Sequence, residues 1–413
     1  MVKSVTAKGS FIVIETHPVQ YHAPVYREVA AKFGIPVAVI YGSDSSVAGY
    51  QDREFGASFA WDTDLLSGYE SVFLSRMSRD GGASEQRASV SGMRKVLKRL
   101  KPSAVLLVGY SPRFHQVAFL QAWRAGVPIL FRGETTDHAR NRGSVAETVR
   151  SNALRFLYGT CSKLLYVGQH SYQHFNRLGV PAAKLQFSPY CVDTTAFLTS
   201  ERDRQDLREH TRERLHISPH EMVMLFSGKL SPRKGPDLLL SSVKSLPVEI
   251  RERMVVLFLG SGAMKGALEG LATQAPEIKV RFAGFQNQRQ LSPYYHAADL
   301  LVLPSRHSET WGLVVNEALH HGLPCVVSKA VGCAPDLIEQ GITGEVFETD
   351  SADSLSAALT RGMCLVNRSS VRNSCREKVS GYTVERAAEG IANAFWTVVG
   401  GCAELREQWQ AQG

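Results

Sequence analysis

Nowhere in the 413 residues do about eighteen apolar side chains run together, the length a helix needs to cross a bilayer, so no spanning segment is expected. Near the start the only apolar run, Phe11–Ile14, gives way at once to Glu15 and His17. It therefore reads as a strand and not as the apolar core of a secretion signal. The seven cysteines, Cys161, Cys191, Cys325, Cys333, Cys364, Cys375 and Cys402, are odd in number and scattered, with no Cys-x-x-Cys pair. That spacing excludes the usual zinc sites and fits a reduced cytosolic compartment. Low-complexity tracts and short repeats are absent, and 44% hydrophobic with 21% charged residues is a globular rather than a disordered composition. The basic clusters, such as Arg94, Lys95, Lys98, Arg99 and Lys101, lack the interleaved aromatics that stack bases, so nucleic acid is not an expected partner. Their first reading is a solvated helix face, and their second is peripheral contact with an anionic membrane at its inner face. A net charge of +8 attracts anions in general without choosing among them.

What the chain does have is a pattern of short β-branched runs alternating with segments of helical period, and the pattern occurs twice. In the first half the strands are expected at Phe11–Ile14, Pro36–Tyr41, Ala104–Val108, Pro128–Phe131 and Lys163–Val167. In the second they are expected at Met222–Phe226, Met254–Leu259, Lys279–Ala283, Asp299–Leu303 and Pro324–Ser328. The spacing predicts an α/β protein with two doubly wound, Rossmann-like domains, 1–195 and 196–383, followed by a helical segment 384–413. Two such domains enclose a cleft, and open α/β sheets bind ligands beyond the carboxyl ends of their strands.

Three loops in the second half answer that expectation. Ser227-Gly-Lys-Leu-Ser-Pro-Arg-Lys-Gly235 leads from a strand into a helix and carries Lys229, Arg233 and Lys234 beside the free N–H groups of a helix start. It lacks the Gly-x4-Gly-Lys-Ser/Thr spacing of a P-loop, and reads as either a diphosphate site or a solvated turn. Gly260-Ser-Gly262 has two readings, close backbone approach to a phosphate or a structural turn. Pro304–Glu317 is the most informative segment, because Glu309 falls in the loop, Glu317 falls early in the next helix, and Trp311, Gly312 and Leu313 lie between them. Two carboxylates flanking an anion-binding helix start suit a ligand with polyols on both sides of a phosphate. Asp62-Thr-Asp64 has the form of a metal-binding pair, but without a clear preceding strand it reads as a loop feature, and no metal is expected.

With these residues in view, the chain resembles the retaining glycosyltransferases of family 4, which have the two-domain GT-B fold. The resemblance rests on five ordered motifs: Gly228-Lys-Leu-Ser-Pro-Arg-Lys-Gly235, Ala283-Gly-Phe285 before Ala297-Ala-Asp299, Glu309-x7-Glu317, Gly322-Leu-Pro324 and Gly341-Ile-Thr-Gly344. It implies that Lys234, with Lys229 in a place usually held by Arg, neutralises a donor diphosphate. Glu317 would hold ribose hydroxyls, Glu309 would meet the sugar, backbone at Trp311–Leu313 would contact phosphate or sugar, and Phe285 would edge the base. It further implies a nucleotide sugar as co-substrate, a hydroxyl acceptor on a glycan, glycolipid or small molecule, no other cofactor, and a C-terminal helix returning to the first domain. The first half matches more loosely: His17, Gln20, Tyr21, Arg132, Glu134 and His138 are the cleft residues expected there, Arg132 and Glu134 having an internal ion pair as their other reading. Two rival functions remain from the residues alone, a sugar-nucleotide epimerase and a nucleotide-sugar-binding module without catalysis.

Overall fold

The computed structural model describes residues 10–47, 50–52, 57–59, 63–76, 88–134, 144–366 and 368–400. In chain order the first-half strands are β1 (Phe11–Glu15), β2 (Val37–Tyr41), β3 (Tyr50–Asp52), β4 (Ala57–Phe59), β5 (Glu70–Phe73), β6 (Ala104–Val108), β7 (Ile129–Gly133), β8 (Lys163–Tyr166) and β9 (Leu185–Phe187). Seven of them form a parallel sheet in the order β5-β2-β1-β6-β7-β8-β9, while β3 and β4 pair antiparallel as a separate hairpin. The second-half strands are β10 (Met222–Ser227), β11 (Met254–Leu259), β12 (Lys279–Gly284), β13 (Leu300–Leu303), β14 (Cys325–Ser328) and β15 (Gly344–Phe347), ordered β12-β11-β10-β13-β14-β15. Strand β11 is buried from end to end and β10 from Val223 onward, and the two pair in strict parallel register from Met222↔Met254 to Ser227↔Leu259. Their apolar runs show no alternation because helices cover both faces.

In each sheet the strand order reverses beside the first strand, between β1 and β6 and between β10 and β13. A crevice opens at such a switch point. The first sheet is covered on one face by helices Met93–Leu100, Arg113–Arg124 and Ser144–Thr160, whose Met93, Leu97, Phe114, Ala118 and Leu154 share one core cluster. Helix Ala23–Phe33 and the late helix Val384–Val399 cover the other face, where Ala387, Ile391 and Phe395 pack with Phe11, Val13 and Val29. The C-terminal helix thus returns to the first half. Close docking needs Gly390, since a Cβ there would lie 2.0 Å from the Phe187 carbonyl oxygen.

Several elements differ from the sequence expectation. Glu201–Arg214 is a helix capped by Ser200, although its sequence shows almost no apolar residue. Its buried face is built from arginine instead: Arg208 and Arg212 each reach Asp299 at 2.6 Å. The segment after β12 begins as a 3-10 turn at Gln288–Gln290 and becomes α-helical only over Ser292–Ala297, with Pro293 in its first turn. The final helix is described only to Val399. Among the described residues, no helix is long and apolar enough to cross a membrane.

Candidate active site

The strongest cluster lies at the second sheet's switch point, where the loops after β10 and β13 meet. Gly235 makes that meeting feasible: its φ of 66° is left-handed, and a Cβ on it would lie 2.4 Å from the Pro304 carbonyl oxygen. Arg306 then ties the loops together. Its guanidinium donates to both carboxylate oxygens of Asp237 at 2.8 Å and to the Pro232 carbonyl at 2.9 Å. As a result the Lys234 ammonium pairs with the Glu309 carboxylate, which also accepts from the Ser305 hydroxyl at 2.9 Å and lies 3.5 Å from Arg233. Burial acts to raise the Glu309 pKa, but Lys234, Arg233 and Ser305 together hold it below its ordinary range. Glu309 is delivered by Ser308, a non-glycine residue at φ 56°, and the chain after it is received by Gly332, where a Cβ would lie 1.9 Å from the Thr310 carbonyl oxygen.

Glu317 sits deeper, on helix Leu313–His320, and only 3% of it is exposed. Tyr295 donates to its Oε2 at 2.5 Å and also touches Ser227 Oγ at 3.2 Å. Burial pushes the Glu317 carboxyl up to about 7 against the pull of these hydrogen bonds. From the opposite half, the Tyr21 hydroxyl approaches Oε1 at 3.5 Å. A second contact across the cleft joins Thr310 Oγ1 to Glu134 Oε2 at 2.7 Å.

The other expected residues fall into distinct groups. Lys229 is half-buried on the loop after β10 and Phe285 is half-buried on the loop after the edge strand β12, while Gly312 at φ 98° starts the helix after β13, so the amides of Leu313 and its neighbours lack intrahelical acceptors. Trp311 offers a ligand only its backbone. Its ring is 4% exposed, donates to Asn316 at 2.8 Å, and packs beside Tyr190 and Tyr382, while a Cβ on Gly168 would lie 2.3 Å from it. At Gly262 the space left by its missing side chain is filled by the Leu230 backbone, 2.5 Å from where a Cβ would stand, so a structural need for glycine exists there.

Arg132 departs from its expected place. Its side chain is buried rather than facing the cleft, and it makes no ion pair with Glu134; it donates to the Pro189 carbonyl at 2.7 Å and to Ser188, and lies over the Tyr190 ring. It fastens β7 to the crossing segment. His17 is exposed and bonded to Thr16, whereas Gln20 is buried with its Oε1 unpartnered. His138, like Asp62, lies outside the described residues. No group of three or more metal-ligating side chains occurs among the described residues.

Sequence reasoning did not single out Tyr295, Ser305, Arg306, Thr310 or His22. His22 lies at 2.7 Å from the buried Glu15 carboxylate and stacks on Tyr190. Burial would raise the Glu15 carboxyl, but His22 and Tyr26 hold it below its ordinary range. Ser305, Arg306 and Thr310 lie within the Pro304–Glu317 segment and Tyr295 lies just before Ala297-Ala-Asp299, so these four carried a signal and His22 did not.

Two doubly wound sheets with their switch points facing one cleft define the GT-B class of α/β proteins. Across residues 208–378 the chain matches the family model described as glycosyl transferases group 1. It is 35% identical over 156 residues to a D-inositol 3-phosphate glycosyltransferase of Mycobacterium marinum, covering 37% of this chain and 32% of that protein. The enzyme of the same name from Actinosynnema mirum is 32% identical over 227 residues, 52% of each chain. The chain thus spans about a third to a half of the length of these curated relatives. In fold it is similar to Anabaena Alr3699/HepE, solved with UDP and glucose, at a TM-score of 0.65 and 17% identity over 93% of this chain and 98% of that one. The lipopolysaccharide glycosyltransferase WaaG is similar at a TM-score of 0.63 and 18% identity over 95% and 100%.

Proposed function

We propose that the protein is a retaining glycosyltransferase that moves a sugar from a nucleoside-diphosphate sugar to an acceptor hydroxyl in glycoconjugate synthesis. The observation that carries this reading is the convergence of Lys234, Arg233, Glu309 and Glu317 on one switch-point crevice. A diphosphate placed there would take Lys234 and Arg233 as counterions beside the first amides of helix Leu313–His320. Ribose hydroxyls would donate to Glu317 Oε1, leaving Oε2 with Tyr295, and the transferred sugar would lie toward Glu309.

In the transfer, the bond between the anomeric carbon and the phosphate oxygen breaks, and its electron pair stays on the nucleoside diphosphate. The acceptor oxygen forms the new bond on the same face, and its proton passes to the leaving phosphate. Lys234 and Arg233 stabilise the charge that develops on the leaving group, the kind of term worth roughly 3 kcal/mol per well-placed donor. Glu309, kept ionised, would steady positive charge at the anomeric carbon. Alr3699/HepE was solved with UDP-glucose, which supports a nucleotide sugar as the donor class. A cytosolic site of action is supported by the described cysteines, all free and all but Cys364 buried.

A thermal-shift screen of nucleoside diphosphates and their sugars tests the donor site, because a ligand of the folded state raises its apparent stability. One nucleotide should raise the melting temperature of the native chain and fail to raise that of Glu317→Ala or Lys234→Ala. Product analysis with that donor then separates transfer from the rivals. Conversion of the donor without an acceptor would mark an epimerase, and binding without hydrolysis or transfer would mark a module without catalysis.

A further inference from the structure

Three neighbouring helices on one face of the first sheet hold an unusual share of the molecule's charge. Met93–Leu100 carries Arg94, Lys95, Lys98 and Arg99 and no acidic residue. Arg113–Arg124 carries a cation at each end and no acid, and Ser144–Thr160 sets Arg150 and Arg155 against Glu147 alone. Eight cations therefore face one anion, an excess of seven, while the whole chain has an excess of eight. The rest of the molecule is close to neutral. Of these cations only Arg150 is partly covered, by its contacts with Glu147 and Tyr110; the other seven are exposed.

The same layer exposes apolar side chains that would ordinarily be inside. Trp123 is 48% and Phe156 59% exposed, and their rings meet edge to face with centroids 6.2 Å apart. Val149, 65% exposed, lies two helical turns before Phe156 and shares its face. The inner sides of these helices are locked into the core by Met93, Leu97, Phe114, Ala118 and Leu154, so the outward faces are fixed.

Aromatic side chains ringed by exposed lysine and arginine match the boundary of an anionic bilayer, where rings enter the headgroup layer and cations meet lipid phosphates. Rings packed edge to face against each other form a wedge, whereas single-stranded nucleic acid needs open faces on which bases stack. We propose that the outer surface of this helical layer docks on an anionic lipid bilayer, with Trp123 and Phe156 entering the headgroup region. The proposal goes beyond glycosyl transfer and does not depend on it.

Co-sedimentation of the full-length protein with vesicles at low salt tests it, comparing phosphatidylcholine alone with a phosphatidylglycerol–phosphatidylcholine mixture. The protein should pellet with the mixed vesicles and remain in solution with the neutral ones. Lys95→Glu/Lys98→Glu should weaken partitioning on the order of 100-fold, and Trp123→Ser/Phe156→Ser on the order of tenfold. All four residues are exposed, so the melting temperatures and the nucleotide-induced shift of these variants should match the native chain. In the native chain, brominated lipid should quench a fluorescence component that Trp123→Phe lacks. The proposal is overturned if the native protein stays in solution with anionic vesicles, if charge reversal leaves partitioning unchanged, or if duplex DNA at the same salt is bound more tightly than the vesicles.

Discussion

Glu317 shows how a single side chain can set the working pH of the site. Its carboxyl is raised from an ordinary 4.5 to about 7, with burial as the cause. Only the ionised form accepts hydrogen bonds at both oxygens, so nucleotide affinity should rise with pH through about 7 in the native chain. Titration calorimetry between about pH 6 and 8 would show this limb, and Glu317→Gln should flatten it. Stability runs the opposite way. The folded state holds this proton more tightly than the unfolded chain, so the contribution is fully present below pH 4.5 and is lost as the pH rises through about 7. The sequence made Glu317 legible through its spacing from Glu309, but it could not show Tyr295 or Tyr21, whose approach depends on a neighbouring helix and the facing half. Arg132 misled for a related reason: a charged residue ending a strand usually faces the crevice, and here neighbouring carbonyls take up its donors.

At the scale of elements, the loop after β10 works only because a glycine lets it touch the loop after β13. Gly235→Ala should lower the folding free energy by roughly 1–3 kcal/mol, from a left-handed backbone and a blocked approach to Pro304. It should also raise the donor KM, because Lys234 would be moved away from Glu309. A urea melt with donor-saturation kinetics would check both effects, and an unchanged midpoint would remove the steric argument. The elements that escaped the sequence reading share a physical cause. β5, β9 and β15 each lie at a sheet edge, where one flank has no strand to pair with and three or four residues suffice. The ten strands read from apolar runs include every interior strand. Helix Glu201–Arg214 escaped because hydrophobic periodicity cannot register a buried face made of arginine paired to Asp299.

At the scale of the molecule, the two halves meet through Trp311 against Tyr190, Gly168 against Trp311, and Gln169 N–H on the Asp336 carboxylate at 3.0 Å. The helix Val384–Val399 adds a covalent return across the cleft. Gly390→Val should loosen that helix from β9, because the Phe187 carbonyl occupies the space. Hydrogen exchange should then quicken in β1, β8 and β9 while β10 and β11 stay protected; uniform protection would mean the helix is dispensable to the first sheet. The return of this helix also bears on how the protein is made. A chain emerging from the ribosome brings out β1 ahead of the second half, yet the partner that covers Phe11, Phe395 on the late helix, arrives only after that half. The second half can close its own core during synthesis, whereas the first must wait with one face incompletely covered. In this architecture the later-made half folds ahead of the earlier one, and the nascent first sheet is the stretch most in need of a chaperone.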